Sequence, residues 1–114
     1  MKVLIFDDDV FDRRTDYFFP PSLEIAIYDR ADQCLPLIAS FAPDIVLMDF
    51  HMRTGYKGEQ AVADIRRVYA PEQLPIIGIS SMPDLNRRMT QVGASRAVRK
   101  SQLQSLLFEL ASTE

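Results

Sequence analysis

The sequence predicts a doubly wound α/β domain built on a five-stranded parallel sheet. Three short apolar runs rich in β-branched residues alternate with helical patterns, and two further runs mix polar and apolar positions. A short continuous apolar run is typical of an interior strand that is covered on both faces. An alternating run is typical of a strand with a partly wet surface at the edge of a sheet. Because strand and helix alternate five times, we expect right-handed crossovers and helices on both faces of the sheet.

The strands are predicted at residues 3–6, 23–28, 45–48, 76–79 and 96–99. The second and fifth are the alternating ones, so they are placed at the two edges and the predicted order is 2-1-3-4-5. This order makes the first and third strands neighbours near the topological switch point, where open α/β sheets bind ligands.

Helical patterns fill the gaps between the strands. A first helix is predicted over residues 10–19 and is ended by two prolines. A second helix is predicted over residues 31–41, and Pro36 must either lie in its first turn or kink it. Apolar residues at three-and-four spacing predict the third and fourth helices, through Val68 and Val92 respectively. A leucine stripe over residues 103–110 predicts the fifth helix, opened by a capping box at Ser101 to Gln104, with Phe108 off the stripe.

Length and composition fit one globular domain over residues 1–114. The 47% of apolar and 25% of charged residues exclude disordered, collagen-like and low-complexity classes. The net charge of −3 argues against a wholly basic nucleic-acid module, and the single cysteine, Cys34, excludes a disulfide scaffold. No signal peptide or membrane span is predicted. Only four residues follow Leu110, so we expect no output domain. From the features above we also expect a cytoplasmic domain with no membrane contact and no direct nucleic-acid binding.

Polar side chains follow the predicted strands at the same edge of the sheet. Asp7 and Asp8 follow the first strand, Asp49 the third, Ser80 the fourth and Lys100 the fifth. Carboxylates crowded together repel one another, and a magnesium ion held by one or two carboxylates and water would relieve this repulsion. A phosphoryl group could then be held by the metal, the ammonium and the hydroxyl, with one aspartate left as nucleophile.

These residues match a known pattern. The chain resembles the receiver domain of bacterial two-component response regulators, of the stand-alone, chemotaxis-regulator-like kind with a flavodoxin-like fold. The resemblance covers residues 2–110 and rests on ordered segments: residues 3–8, residues 43–49, Met52, Ile65-Arg66, residues 75–77, Ser80, Gly93-Ala94, Lys100 and also Arg13.

The resemblance implies a phosphorelay role without enzymatic turnover. Asp49 would be phosphorylated by a sensor histidine kinase or a histidine phosphotransfer protein, and the domain would signal by binding a downstream protein as a monomer or weak homodimer. Magnesium would be bound by Asp8, Asp49 and the backbone carbonyl of His51, with Asp7 acting largely through water. Ser80 and Lys100 would contact the phosphoryl group.

The sequence also departs from the family pattern. Arg53 and Ser101 stand at positions where the family usually has proline, and Ala97 stands at the position of the aromatic switch residue. The loop over residues 49–58 is one residue longer than usual and has an additional glycine at Gly55. These departures motivate a second hypothesis, a phosphorylation-independent interaction module on the same fold. A third is a small haloacid-dehalogenase-like phosphatase, against which stand Phe11 and the lack of a later acidic pair.

Several other residues are interpreted as structural. Asp9 is expected to be only a helix cap, the His51 side chain to lie on the loop surface, and Cys34 to be a small core residue. The arginine pairs at residues 13–14, 66–67 and 87–88 are interpreted as solvated helix faces.

Overall fold

The computed structural model describes residues 1–113 and confirms the predicted fold. Five parallel strands form one sheet in the order β2-β1-β3-β4-β5. The strands are β1 (Lys2–Phe6), β2 (Glu24–Tyr28), β3 (Ile45–Met48), β4 (Ile76–Gly78) and β5 (Arg96–Ala97). The helices are α1 (Asp8–Asp12), α2 (Cys34–Phe41), α3 (Gly58–Arg66), α4 (Pro83–Gln91) and α5 (Leu103–Ser112), with short 3₁₀ turns at Arg14–Asp16 and Lys100–Gln102.

Two apolar cores lie on opposite faces of the sheet, because successive side chains of a strand point in opposite directions. On β1, Leu4 and Phe6 pack into the core shared with α2, α3 and α4, while Val3 and Ile5 face α1 and α5. Residues 3–6 of β1 and all residues of β3 are apolar and buried, because both faces of the sheet are covered there. The residues of β2 and β5 are all at least partly exposed, as the alternating pattern of an edge strand predicts.

The register of the sheet sets the positions of the polar residues that follow the strands. Phe6 pairs with Met48, and Met48 pairs with Gly78. The backbone N–H of Asp49 donates to the Phe6 carbonyl (2.9 Å), so the ends of β1 and β3 are level. Residues that directly follow these two strands therefore meet at one point of the sheet edge.

The first helix differs from its prediction. α1 begins two residues earlier than expected, because the Oδ1 of Asp7 accepts hydrogen bonds from the N–H groups of Asp9 and Val10 and caps it. It ends at Asp12 rather than at residue 19. Residues 12–16 are all exposed, so no burial favours a longer helix there. The prediction that Asp9 is the cap was wrong; Asp7 has that role.

The start of the fifth helix also differs. The leucine stripe is buried and Phe108 is 51% exposed, as predicted. The capping box does not form, because Ser101 lies inside a 3₁₀ turn and Gln102 stands at the N-cap without a side-chain capping bond among the described residues. Gln104, which the box requires, instead bonds to the backbone N–H and carbonyl of Phe18.

Three expectations about helix faces were wrong. Val68 and Val92 are 58% and 37% exposed, because they lie beyond the ends of α3 and α4 and not on their buried faces. Arg66 is not a solvated residue: it is partly buried and its guanidinium donates to the carbonyls of Gly93 (2.8 Å) and Leu74 (2.8 Å). It therefore joins the C-terminal end of α3 to the chain before β4 and β5.

The start of α2 agrees with the sequence prediction. Pro36 lies in the first turn of α2, where its missing N–H is tolerated, and Cys34 is buried, both as expected.

Among residues 1–113, no helix is both long enough and apolar enough to cross a membrane.

Candidate functional site

Three carboxylates meet at the carboxyl edge of the sheet. Asp7 directly follows β1, Asp8 opens α1, and Asp49 directly follows β3. One oxygen from each of the three lies within 4.8 Å of the others. Asp7 is fully buried and Asp49 is buried, whereas Asp8 is partly exposed. The arrangement is thus open to solvent on the side of Asp8.

Lys100 completes the cluster from the 3₁₀ turn after β5. Its Nζ lies 2.8 Å from Oδ2 of Asp49 and 2.7 Å from Oδ2 of Asp7. The lysine side chain is only 17% exposed, so this ammonium is largely removed from bulk water. One cation therefore bridges the two buried carboxylates.

The two buried carboxylates are held in the same way. The Oδ1 of Asp7 accepts the two capping N–H groups of α1, and the Oδ1 of Asp49 accepts the N–H of Phe50 (2.8 Å). In both residues Oδ2 faces Lys100. The Oδ2 of Asp7 is buried and accepts no hydrogen bond from any described residue, so its ion pair with Lys100 is its main compensation.

The ionisation of the cluster reflects its burial. Burial and the charge of Asp49 raise the pKa of Asp7 from 3.8 to about 6, although Lys100 opposes the change. Burial also raises the pKa of Asp49, against the hydrogen bond and charge of Lys100. Burial works to lower the pKa of Lys100, but its bonds to Asp49 and Asp7 outweigh it and the pKa is raised. One lysine does not compensate the negative charge gathered here.

This charge deficit and the donor set both fit a magnesium ion. Carboxylate oxygens are the ligands that magnesium prefers, usually one or two of them together with water. The partly exposed side of Asp8 leaves room for that water, and the Oδ2 of Asp7, whose main compensation is its ion pair with Lys100, would gain a second positive neighbour.

Ser80 lies at the same edge of the sheet and is held by several bonds. It is buried, and it follows Ile79, whose N–H donates to the carbonyl of Met48 (3.0 Å). Its hydroxyl oxygen accepts the N–H of Met82 (3.1 Å), which leaves the hydroxyl hydrogen free to donate elsewhere. The backbone of Ser80 is bonded on both sides by the side chain of Asn86.

His51 contributes no side chain to the cluster. Its side chain is exposed, as predicted, and its ring packs edge-on against Phe50 with ring centres 5.0 Å apart. The suggested use of its backbone carbonyl as a metal ligand stays a prediction.

Solved structures similar to this chain include response regulator receiver domains. The BeF3-activated N-terminal receiver domain of Klebsiella pneumoniae RstA is 21% identical with a TM-score of 0.74, covering 99% of this chain and 97% of that one. The signal receiver domain of Mycobacterium tuberculosis NarL is 23% identical with a TM-score of 0.73, at 99% and 97% coverage. The response regulator domain of Thermotoga maritima CheB is 18% identical with a TM-score of 0.75, at 99% and 94% coverage.

The chain has the receiver-domain fold. It also spans half the length of a two-component response regulator/GGDEF domain protein, with 24% identity and a TM-score of 0.73. No protein-family model and no curated protein matches the sequence. The likeness therefore establishes the receiver fold, while the roles of the site residues in this chain are inferred from their geometry.

The loop that follows Asp49 carries two residues whose roles sequence reasoning missed. A Cβ atom on Gly58 would lie 1.9 Å from the carbonyl oxygen of Asp49, so only glycine allows α3 to begin this close to the site. Arg53, at the position of the family's proline, forms ion pairs with Asp12 and Asp29 (3.4 Å to the latter). Arg53 therefore ties this loop to the last residue of α1 and to the residue that follows β2.

Asn86 was also missed. It lies in the middle of α4 between Leu85 and Met89, a position that the helical pattern alone does not distinguish from the surface. The one available signal is that asparagine is a poor residue for a helix interior, since its side chain competes for backbone hydrogen bonds. In the receiver fold of this chain that side chain is buried and points at Ser80.

Proposed function

We propose that this chain is a phosphoacceptor receiver domain that is phosphorylated on Asp49 and signals by binding a protein partner. The observation that carries the proposal is the bridging ammonium of Lys100 between Asp49 and Asp7, beside a third carboxylate on Asp8. The phosphoryl donor would be a phosphohistidine of a sensor histidine kinase or a histidine phosphotransfer protein. The domain would assist its own phosphorylation and dephosphorylation without acting as a turnover enzyme.

The geometry suits Asp49 to the role of nucleophile. Its Oδ1 is held by the N–H of Phe50 and its Oδ2 is oriented by Lys100, so the carboxylate is fixed at the end of a buried strand. In the transfer, a carboxylate oxygen of Asp49 bonds to phosphorus as the phosphorus–nitrogen bond of the phosphohistidine breaks. The electron pair of that bond stays on the imidazole, which takes up a proton.

The neighbouring residues supply charge and hydrogen bonds to the transferred group. Lys100 would pair with one phosphoryl oxygen, and the free hydroxyl hydrogen of Ser80 would donate to another. Asp7, Asp8 and Asp49, with the carbonyl of His51, would hold a magnesium ion. When bound, this ion would neutralise charge between the carboxylates and the phosphoryl oxygens.

A small phosphodonor tests the proposal. Incubation with acetyl phosphate and magnesium should raise the intact mass by one phosphoryl group, and hydroxylamine should remove it. The Asp49→Asn variant should take up none. Asp44→Asn is the matched control, because Asp44 is an exposed aspartate that bonds the N–H of Lys2 outside the site, and it should be labelled like the native chain. No mass increase in the native chain, or undiminished labelling of Asp49→Asn, would contradict the proposal.

The absence of an aromatic ring at Ala97 favours a second candidate, a module that binds its partner without phosphorylation. The two candidates differ in whether partner affinity changes with beryllofluoride and magnesium. The phosphatase hypothesis predicts multiple turnover of a generic phosphate ester, which the present proposal does not.

A further inference from the structure

Asn86 joins two parts of the candidate site that are far apart in sequence. Its side-chain oxygen accepts the N–H of Ser80 (2.9 Å), and its side-chain nitrogen donates to the carbonyls of Ser80 (2.9 Å) and Val98 (3.0 Å). Asn86 is only 7% exposed. A buried amide with three hydrogen bonds holds its neighbours in one arrangement, since each lost bond leaves a polar group unsatisfied.

The two partners of Asn86 are Ser80 and Val98, which place it next to the two side chains, Ser80 and Lys100, that would contact the phosphoryl group in the proposed function. Ser80 is bonded directly through both of its backbone groups. Val98 lies two residues before Lys100, and its own N–H donates to the carbonyl of Gly78 (2.8 Å), which fixes it to β4. The Asn86 amide thus joins the Ser80 segment to the segment that leads to Lys100.

Small residues make the space that this amide occupies. A Cβ atom on Gly78 would lie 3.3 Å from the Asn86 side-chain oxygen and 3.3 Å from the Cβ of Ala97. Both distances are tighter than ordinary van der Waals contact, so Gly78 lets Asn86 and Ala97 approach β4 closely. Asn86 therefore lies beside the position where Ala97 supplies no ring.

We infer that Asn86 is a positioning residue that sets Ser80 and the Lys100 segment against Asp49 and transmits movement of Ser80 to β5. This inference rests on the proposed function, in which Ser80 donates to the phosphoryl group. Movement of Ser80 toward that group strains or breaks its two bonds to Asn86, and the same amide nitrogen holds Val98. A polar connection takes the place of an aromatic side chain between the site and β5.

Beryllofluoride, which mimics the aspartyl phosphate, and magnesium alone separate this role from a general structural one. None of the magnesium ligands Asp7, Asp8 and Asp49 is bonded to Asn86. Asn86→Ala and Asn86→Leu should weaken beryllofluoride binding roughly tenfold, the effect of losing the hydrogen bond from Ser80 to a charged acceptor, while magnesium affinity stays within about twofold. Leucine keeps the size of the asparagine side chain and adds no charge but lacks its hydrogen bonds, so the Leu variant decides the matter if the Ala variant does not fold.

Thr90→Ala is the matched control for these variants. Thr90 lies one turn further along α4 and lines a surface groove together with Asn86, Ala97 and Val98. It is exposed, and among the described residues its hydroxyl donates only to the carbonyl of Arg87. Its removal should leave both affinities unchanged.

The native chain provides a second measurement. On binding beryllofluoride, the side-chain NH₂ signals of Asn86 and the backbone amide of Val98 should shift together in ¹⁵N–¹H spectra. In Asn86→Leu the shift at Val98 should be lost while that at Ser80 remains.

The outcomes distinguish this inference from the function it rests on. Equal beryllofluoride affinity in the native chain and the Asn86 variants, or an unshifted Asn86 side chain in the native complex, overturns the role of Asn86 alone. If the native chain binds magnesium but no beryllofluoride, the proposed function fails and the role of Asn86 fails with it.

Discussion

Replacing Asp7 with asparagine should stabilise the metal-free protein. The substitution removes the negative charge but keeps Oδ1, which accepts the N–H groups of Asp9 and Val10 and caps α1. It also removes the repulsion between Asp7 and Asp49 and the ion pair with Lys100. Because the pKa of Asp7 is raised, the repulsion and burial outweigh the ion pair.

The size of the effect follows from the pKa. A rise from 3.8 to about 6 makes ionised Asp7 less favourable in the folded state by roughly 3 kcal/mol, at 1.36 kcal/mol per unit. A carboxyl with a raised folded pKa binds more protons when folded, so stability falls as the pH rises from about 4 to 6 and stays low above that window. The new amide N–H group faces the Lys100 ammonium, which lowers the expected gain to about 2 kcal/mol.

Thermal unfolding followed by circular dichroism in EDTA measures this gain. At pH 7.5 the Asp7→Asn protein should unfold about 8 °C higher than the native chain, from the usual few degrees per kcal/mol for a domain of this size. At pH 4.5, where folded Asp7 is mostly protonated, the gain from removing its charge falls to about 1 kcal/mol. The cost of placing the new amide against Lys100 offsets this remainder, so the two proteins should then unfold at nearly the same temperature. Magnesium should narrow or reverse the difference, because only the native chain has the full ligand set.

Asp9→Asn is the control for this experiment. The Asp9 side chain is 42% exposed and lies 3.6 Å from Arg13, and the loss of this solvent-facing pair should change stability by less than about 0.5 kcal/mol at either pH. Destabilisation of Asp7→Asn at pH 7.5 would refute the reasoning. So would an equal gain at pH 4.5, since the gain would then not arise from the charge.

Three further predictions concern metal binding, backbone space and the thiol. In differential scanning fluorimetry, magnesium at a hundredfold excess over Kd should stabilise the native chain by about 2.7 kcal/mol, and an unchanged melting temperature would argue against a working site. The Asp8→Asn variant should be more stable than the native chain without metal but should not respond to magnesium. Gly58→Ala should lower the free energy of unfolding in urea titrations by about 2 kcal/mol or more, whereas Gly55→Ala, whose Cβ would have nothing within 4 Å, should leave it nearly unchanged. Equal effects of the two substitutions would show that the contact with Asp49 is unimportant. Burial raises the pKa of Cys34 to about 11, so a thiol reagent at pH 8 should modify it only as the protein unfolds; rapid modification of the folded chain would contradict this burial.

The sheet could be predicted from the sequence because its evidence is local. Strands buried on both faces read as unbroken apolar runs and edge strands alternate, which sets the order without any long-range information. The same reasoning gathered Asp7, Asp8, Asp49 and Lys100, since residues that follow parallel strands share one edge of a sheet.

Features that depend on contacts between distant segments were not predictable. Arg66 looked like one of several surface arginines, and its bonds to Gly93 and Leu74 depend on where α3 ends relative to two later segments. Asn86 looked like an ordinary helix residue, and its role depends on its contact with Val98, which directly follows β5. Asp7 was assigned to the site, but its second role as a helix cap required the backbone angles of the turn after β1.

The negative charge that raises the pKa of Asp7 also affects the order in which a divalent cation and the phosphoryl donor would bind. With all three carboxylates ionised, the cluster holds three negative charges against the one positive charge of Lys100, which leaves a net charge of −2 at a largely buried position. A phosphoryl donor is itself an anion and would be repelled by this excess. A divalent cation would bring the cluster close to neutrality, which both lowers the pKa of Asp7 and removes the barrier to the donor. Magnesium affinity and phosphoryl uptake should therefore show the same dependence on the charge of Asp7 and Asp8, even though only Asp49 forms the new bond.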